Sequence, residues 1–224
     1  MAGRTFGGIT VTTPVLDEPG LYLARVDSLD SPRGDVRDFA YGDIGLRALA
    51  LDGVRLVTGR ISDVRAERVE FDSVDLHGVE ITGSDLGAVR WRQSRLTRVH
   101  VRDCKILGAV LDGIVLDDVL FEKCRFDYSV FEKVRAAGPV AFVGCAFTEA
   151  VFTGCDMSGA VFSECGLGLT EFGGGRYRGT DLRGNDLARI RGVANLAGVR
   201  IAPGQEPDLA RALVNELGIT VGDD

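Results

Sequence analysis

Histidine is nearly missing from this chain: of 224 residues, two are histidine, His77 and His100, and one is tryptophan. Neither histidine has a nucleophile–base–acid grouping around it, and both are expected on the surface, on different sides of the molecule. The five cysteines form no C-x-x-C pair and have no histidine nearby, which excludes zinc spacing. The glycine-rich "EFGGGRYRG" at 171–179 lacks the Lys-Ser/Thr of a phosphate loop. No apolar run approaches the roughly 20 residues of a membrane helix. "MAGRTFGGITVTTPVL" lacks a signal peptide's basic-then-apolar layout. These absences point to a cytoplasmic protein that is not an enzyme, with no cofactor, metal or membrane contact. An acidic pI near 5.0 and the lack of an aromatic–basic face argue against direct nucleic-acid binding.

What the chain has is a period of five. Large apolar residues recur as Phe71, Leu76, Ile81, Leu86, Trp91, Leu96 and onward to Phe131, then from Phe142 to Leu187 after one extra residue. With 45% hydrophobic composition, a run of that length has a chance on the order of 10⁻⁸ in any one register. A helix repeats near 3.6 residues and a strand at 2, so neither alone explains it. A second series, two residues earlier, is small or β-branched: Val69, Val74, Val79, Ser84, Val89, Ser94 and so on. All five cysteines fall in it, as packed free thiols that a cytosolic chain keeps reduced. Each unit therefore turns two residues inward with an outward residue between them, as extended chain requires. Trp91 occupies a large inward slot and is expected to pack rather than bind a ligand.

"FDSVDLHGVEITGSDL" and "AVFTGCDMSGAVFSEC" resemble the pentapeptide-repeat family over roughly residues 39 to 203. The resemblance implies an all-β fold, a right-handed quadrilateral parallel β-helix with one pentapeptide per side and four per coil. Charges give an independent indication. Opposite signs recur at a separation of 20, as in Arg60 and Glu80, Arg65 and Asp85, Glu70 and Arg90, Asp72 and Arg92, Asp75 and Arg95, Arg98 and Asp118, and Arg102 and Glu122. Stacked coils would turn these into ladders of surface pairs, each contributing about 0.2–1 kcal/mol.

The chain divides into an N-terminal cap at 1–38, a first repeat block at 39–137, a bulge or kink at 138–141 around Pro139, a second block at 142–203, and a C-terminal helix and tail at 204–224. In the cap, "ITVTTPVL" and "LYLARVDSL" read as two extended segments around "DEPG", closing the first coil. In "EPDLARALVNELG", the early Pro207, the acids Glu206 and Asp208 and the trailing Gly218 frame a short α-helix. Leu209, Leu213 and Leu217 form its apolar stripe, expected to pack as a lid on the last coil and available for a homodimer.

Part of the family binds type II topoisomerases, chiefly DNA gyrase, in the place of DNA, and protects them from gyrase poisons. The resemblance is nearest in plan to the loop-free mycobacterial DNA-mimicking members. It implies a non-catalytic interaction protein whose acids Asp156, Glu164, Asp181, Asp186, Glu206, Asp208 and Glu216 face a gyrase partner, and end-to-end homodimerisation through the helix. A structural scaffold for an unrelated protein is the alternative. The net charge of −7 is uneven. Residues 39–139 carry 15 basic and 16 acidic side chains and residues 140–203 six of each, whereas residues 204–224 carry one and five. The rod is thus nearly neutral and its C-terminal end acidic. The basic band Arg90 to Lys105 is read as one half of the ladders.

Overall fold

The structure, a computed structural model, describes residues 2–31, 34–220 and 222. Its body is a parallel solenoid of about seven turns. Each turn takes 20 residues: Leu56 lies level with Leu76, Leu76 with Leu96, and Leu96 with Leu116. Fifteen strands form one continuous sheet around the axis. It begins with β3 (Ala24–Arg25), β4 (Asp35–Asp52) and β5 (Arg55–Asp72). The period of five arises because both inward series are buried, and the chain turns a corner after each large residue. Among the described residues, sixteen other than glycine have positive φ, and every one lies two places after a large inward position; Asp63, Gln93, Lys133 and Glu164 are examples. Left-handed backbone costs a side-chain-bearing residue roughly 1–2 kcal/mol, so glycine takes the same corner elsewhere, as Gly113 does at φ 64.

Stacking by whole turns puts like on like in the core. Phe121, Phe142 and Phe162 form one column with ring centroids 4.9 and 4.8 Å apart. Phe131, Phe152 and Phe172 form another at 4.5 and 5.5 Å. The smaller inward series satisfies the backbone. Ser84 Oγ accepts from the Val64 amide at 3.2 Å and donates to the Thr82 carbonyl at 3.0 Å. Ser94 repeats this with Val74 and Arg92. Cysteine does part of the same work: the Cys104 thiol lies 3.2 Å from the Arg102 carbonyl and Cys155 3.2 Å from that of Phe131. Trp91 is buried as expected, edge-on to Phe71 at 5.2 Å.

Two departures from the period have local causes. Phe39 stands in a small-residue slot, and Gly59, one turn on, makes room for it: a Cβ there would overlap the Phe39 ring. Between Ala136 and Val140 the register lengthens by one. Leu116 is level with Ala136, but Val119 is level with Val140. The extra residue is absorbed at a corner where the Val119 amide donates to the Pro139 carbonyl at 3.0 Å, so the ladder continues. Near the end the register shortens, with Asp181 level with Arg200.

The N-terminal segment differs from expectation. Ile9–Thr13 does not pair across "DEPG". It forms an antiparallel hairpin, β1 (Ala2–Phe6) with β2 (Ile9–Thr13), turning at Gly7 and Gly8. This hairpin does not close the first coil but lies on the flank of the rod. Closure falls to residues 24–29, where β3 pairs with Phe39 and Ala40 and Leu29 enters the core. At the other end, α1 (Glu206–Glu216) seats Ala212 and Leu209 on the last coil.

Gly59→Val is expected to destabilise the fold by about 1–3 kcal/mol through overpacking, and Phe39→Val in the same chain to recover most of it. Urea titration of the single and double variants checks this; strictly additive losses would contradict the pairing.

Candidate functional site

Outward side chains stand in columns along the rod, and the ladders form where side-chain reach allows. Arg60 meets Glu80 at 2.8 Å, Arg92 meets Asp72 at 3.1 Å and Lys105 meets Asp85 at 3.3 Å. Asp75 is level with Arg95 yet pairs with Arg55, at 3.3 Å. Arg102 is level with Glu122 but reaches Glu80 at 3.8 Å, because Glu122 is already taken. Asp118 accepts from the Thr12 amide at 2.9 Å, while Arg98 contacts His77.

The residue that takes Glu122 is Arg4, in a two-point contact of 2.9 and 2.7 Å. This is the anchor of the hairpin. Phe6, Ile9 and Val11 lie over Leu120, Ala141 and Val161, an outward column that is apolar at these turns. Gly7 sits against Asp181 and Val161, where a Cβ would not fit. His100 is enclosed beneath the hairpin, its Nε2 3.2 Å from Glu122 and its Nδ1 4.0 Å from Glu80. It is outward-pointing as expected but not a surface histidine: its side chain is 12% exposed. The sequence signal for this dock was present in the run Leu120, Ala141, Val161, one place before the large residue, where other turns carry Arg60, Glu80 or Asp181.

The expected partner-facing acids divide. Glu164, Asp186 and Glu206 are exposed, and Asp208 is partly so. Asp181 is a correction: it is 4% exposed and held by Arg183 in a short two-point contact, covered by the hairpin turn. Asp156 is paired with Arg176 at 2.8 Å. Glu216 is committed internally, accepting from the Val193 amide at 2.8 Å. On α1, Leu209 and Leu213 are half-buried, whereas Leu217 is 63% exposed, because the packed stripe runs through Ala212 instead. A groove of about 640 Å³ between the last coil and α1 holds Glu171, Arg189, Arg191 and Glu216 with no nucleophile. Among the described residues, no group of three or more His, Cys, Asp or Glu side chains is placed to hold a metal ion. No helix among them is long and apolar enough to cross a membrane.

Fold and surface together define a four-sided parallel solenoid of five-residue units, clasped on one flank by its own hairpin. The family model of pentapeptide repeats, a run of eight copies, matches residues 141–168, and the solenoid around that segment has the form of a pentapeptide-repeat β-helix. Among solved structures it is similar to a trypsin-treated variant of QnrB1, a plasmid-mediated fluoroquinolone resistance protein. That match has 16% identity and a TM-score of 0.44, over 80% of this chain and 99% of that one. It is also similar to HetL of the cyanobacterium Nostoc sp. strain PCC 7120, a pentapeptide-repeat protein involved in heterocyst differentiation regulation. There the identity is 13% and the TM-score 0.22, over 78% of this chain and 90% of that one. No curated protein matches the sequence. The fold assignment rests on the 20-residue register rather than on these likenesses.

Arg4 holds the Glu122 carboxyl down to about 2, so its contribution is present above the ordinary 4.5 and is lost as pH falls toward 2. Burial pushes His100 below its ordinary 6.5, so acid that charges the ring also works against the closed hairpin. The protection factors of the Val11 and Thr13 amides, with the intrinsic pH dependence of exchange divided out, are expected to fall between pH 6 and 3. Arg4→Ala should give the lowered protection already at pH 7, at a cost of about 1–2 kcal/mol after allowance for the exposure of Arg4. Protection factors that stay constant with pH and equal in both chains would disprove the anchor. The thiols give a second check. Burial pushes Cys155 and Cys165 up to about 11. All five cysteines are buried, so a thiol reagent at pH 8 should label them only at the global unfolding rate.

Proposed function

We propose that this chain is a non-catalytic, cytoplasmic interaction protein that binds a type II topoisomerase, chiefly DNA gyrase, in the place of duplex DNA and so protects it from gyrase poisons. The observation that carries the reading is a regular rod that is nearly neutral along its length and acidic at its C-terminal end, where residues 204–224 hold five acids and one base. A basic DNA-binding saddle attracts such an end electrostatically. Glu164, Asp186, Glu206 and Asp208 supply the recognising carboxylates: Asp186 and Glu206 accept only the local amides of Ala188 and Gly204, whereas Asp156 and Asp181 are salt-bridged and Glu216, though exposed, ties α1 to the last coil. The helix acts first as the lid of the last coil. Leu217 and Ile219, exposed beyond that contact, are available for end-to-end homodimerisation. The near-neutral middle of the rod favours a second reading, a scaffold for an unrelated protein.

A supercoiling assay with purified gyrase, with and without a fluoroquinolone and at two salt concentrations, tests this. Salt-sensitive inhibition or reduced drug-induced cleavage is expected. Reversing Glu164, Asp186, Glu206 and Asp208 to lysine together should abolish it. No effect at large molar excess would sink the topoisomerase reading and leave the scaffold.

A further inference from the structure

Half a turn around the rod from the hairpin, another outward column occupies the place just before the large inward residue. From Ala50 it runs through Glu70, Arg90, Val110 and Val130, each level with the next, and the seven positions from Glu70 onward carry its charge pattern. It continues through Val151, Glu171 and Arg191 in the same way. The valines are part-exposed, and Glu70, Arg90 and Arg191 are exposed. Among the described residues, none of these four charged side chains makes a salt bridge. On the hairpin side, the apolar column at the same turns is covered by Phe6, Ile9 and Val11. Here the matching column is left open from Glu70 to Val151, and Glu171 and Arg191 line the groove beside α1.

The order of this column is self-complementary. Read in reverse about Val130, valine returns to valine, Arg90 to Glu171 and Glu70 to Arg191. We propose that this side is the contact face of a two-fold homodimer in which two rods lie flank to flank and antiparallel, with the axis through Val130. A two-fold along the strand direction keeps each position within its column and reverses the order of turns. Val130 then meets the partner's Val130, Val110 the partner's Val151, Arg90 the partner's Glu171, and Glu70 the partner's Arg191. Three apolar levels are flanked on each side by two opposite-charge pairs. A parallel two-fold would instead set this column against the one two residues on. Arg90 would face the partner's Arg92 and Val130 the partner's Glu132, so the charge order selects the antiparallel arrangement. In the antiparallel pair Glu132 comes near the partner's Glu132, and Lys133, 2.7 Å from Glu132 in the same chain, supplies the counter-charge. Seven levels at strand spacing make a strip about 29 Å long but one column wide, smaller than the roughly 800 Å² per partner of a stable interface. The association is therefore concentration-dependent.

Sedimentation equilibrium of the full chain across a concentration range should show a monomer–dimer equilibrium. Arg90→Glu should weaken it at least about tenfold, and adding Glu171→Arg should restore it. Because the native thiols are buried, introduced cysteines report the register. Val130→Cys should form a disulfide-linked dimer on mild oxidation. Val110→Cys should do so only when mixed with Val151→Cys, with circular dichroism confirming that each variant is folded. A chain that stays monomeric throughout, or a Val110→Cys variant that links to itself as readily as Val130→Cys, overturns the proposal. So does a dimer that survives Arg90→Glu and is lost with Leu217→Asp, which would place the contact at the C-terminal helix.

Discussion

Everything in this molecule depends on the coil-to-coil backbone ladder. Each strand satisfies its amides and carbonyls only with the turn before and the turn after, so a fixed 20-residue register is a condition of folding. That register turns a one-dimensional sequence period into vertical columns. Phenylalanines stack on phenylalanines along the axis, and serines and cysteines bond the inward backbone groups of the neighbouring turn. It also explains why one inserted residue near Pro139 is tolerated. A corner has no core side chain to displace, and the ladder resumes one residue later.

A ladder must end, and this chain ends it differently at its two poles. Ala24–Leu29 pairs with and plugs the first coil, and α1 covers the last with Leu209 and Ala212. Both devices bury unpaired edges that would otherwise recruit another chain. The hairpin β1–β2 serves neither pole. It covers a flank, held by the Arg4–Glu122 contact at one edge and by the fit of Gly7 over Asp181 at its turn. Its presence changes the surface available to a partner. It encloses His100, withdraws Asp181 and leaves the opposite flank as the apolar column open to contact.

The outer surface is a set of charge columns whose sums nearly cancel, and the acidic excess lies at the C-terminal end. A long neutral rod with a charged tip suits recognition by shape along its sides and by electrostatics at its end. The cancellation is partly structural. Like charges stacked about 4.8 Å apart in successive turns repel, and columns such as Arg60–Glu80, Arg65–Asp85–Lys105 and Glu70–Arg90 alternate in sign, whereas Asp52 over Asp72, Asp112 over Glu132 and Lys105 over Arg125 stack like on like. Glu164, Asp186 and Glu206 are exposed carboxylates without a salt bridge, Asp186 and Glu206 each accepting a local backbone amide.

The period of five and the two inward series were legible in the sequence alone; the resemblance to the pentapeptide-repeat family implied the four-sided solenoid, and the charge pairs at a separation of 20 agreed with it. Each is a local rule repeated many times, so a single register satisfies all of them. The helix was legible for the same reason, through its proline, acids and glycine. Contacts that skip the repeat were not. Arg4 meets Glu122 across more than a hundred residues, and no spacing rule joins them, so the hairpin's dock, the enclosure of His100 and the withdrawal of Asp181 were settled only in the folded molecule. Ala212 took the place expected of Leu217 at the lid because the last coil, not the helix pattern, chose which face to receive. Sequence determined what recurs; the tertiary structure decided what happens once.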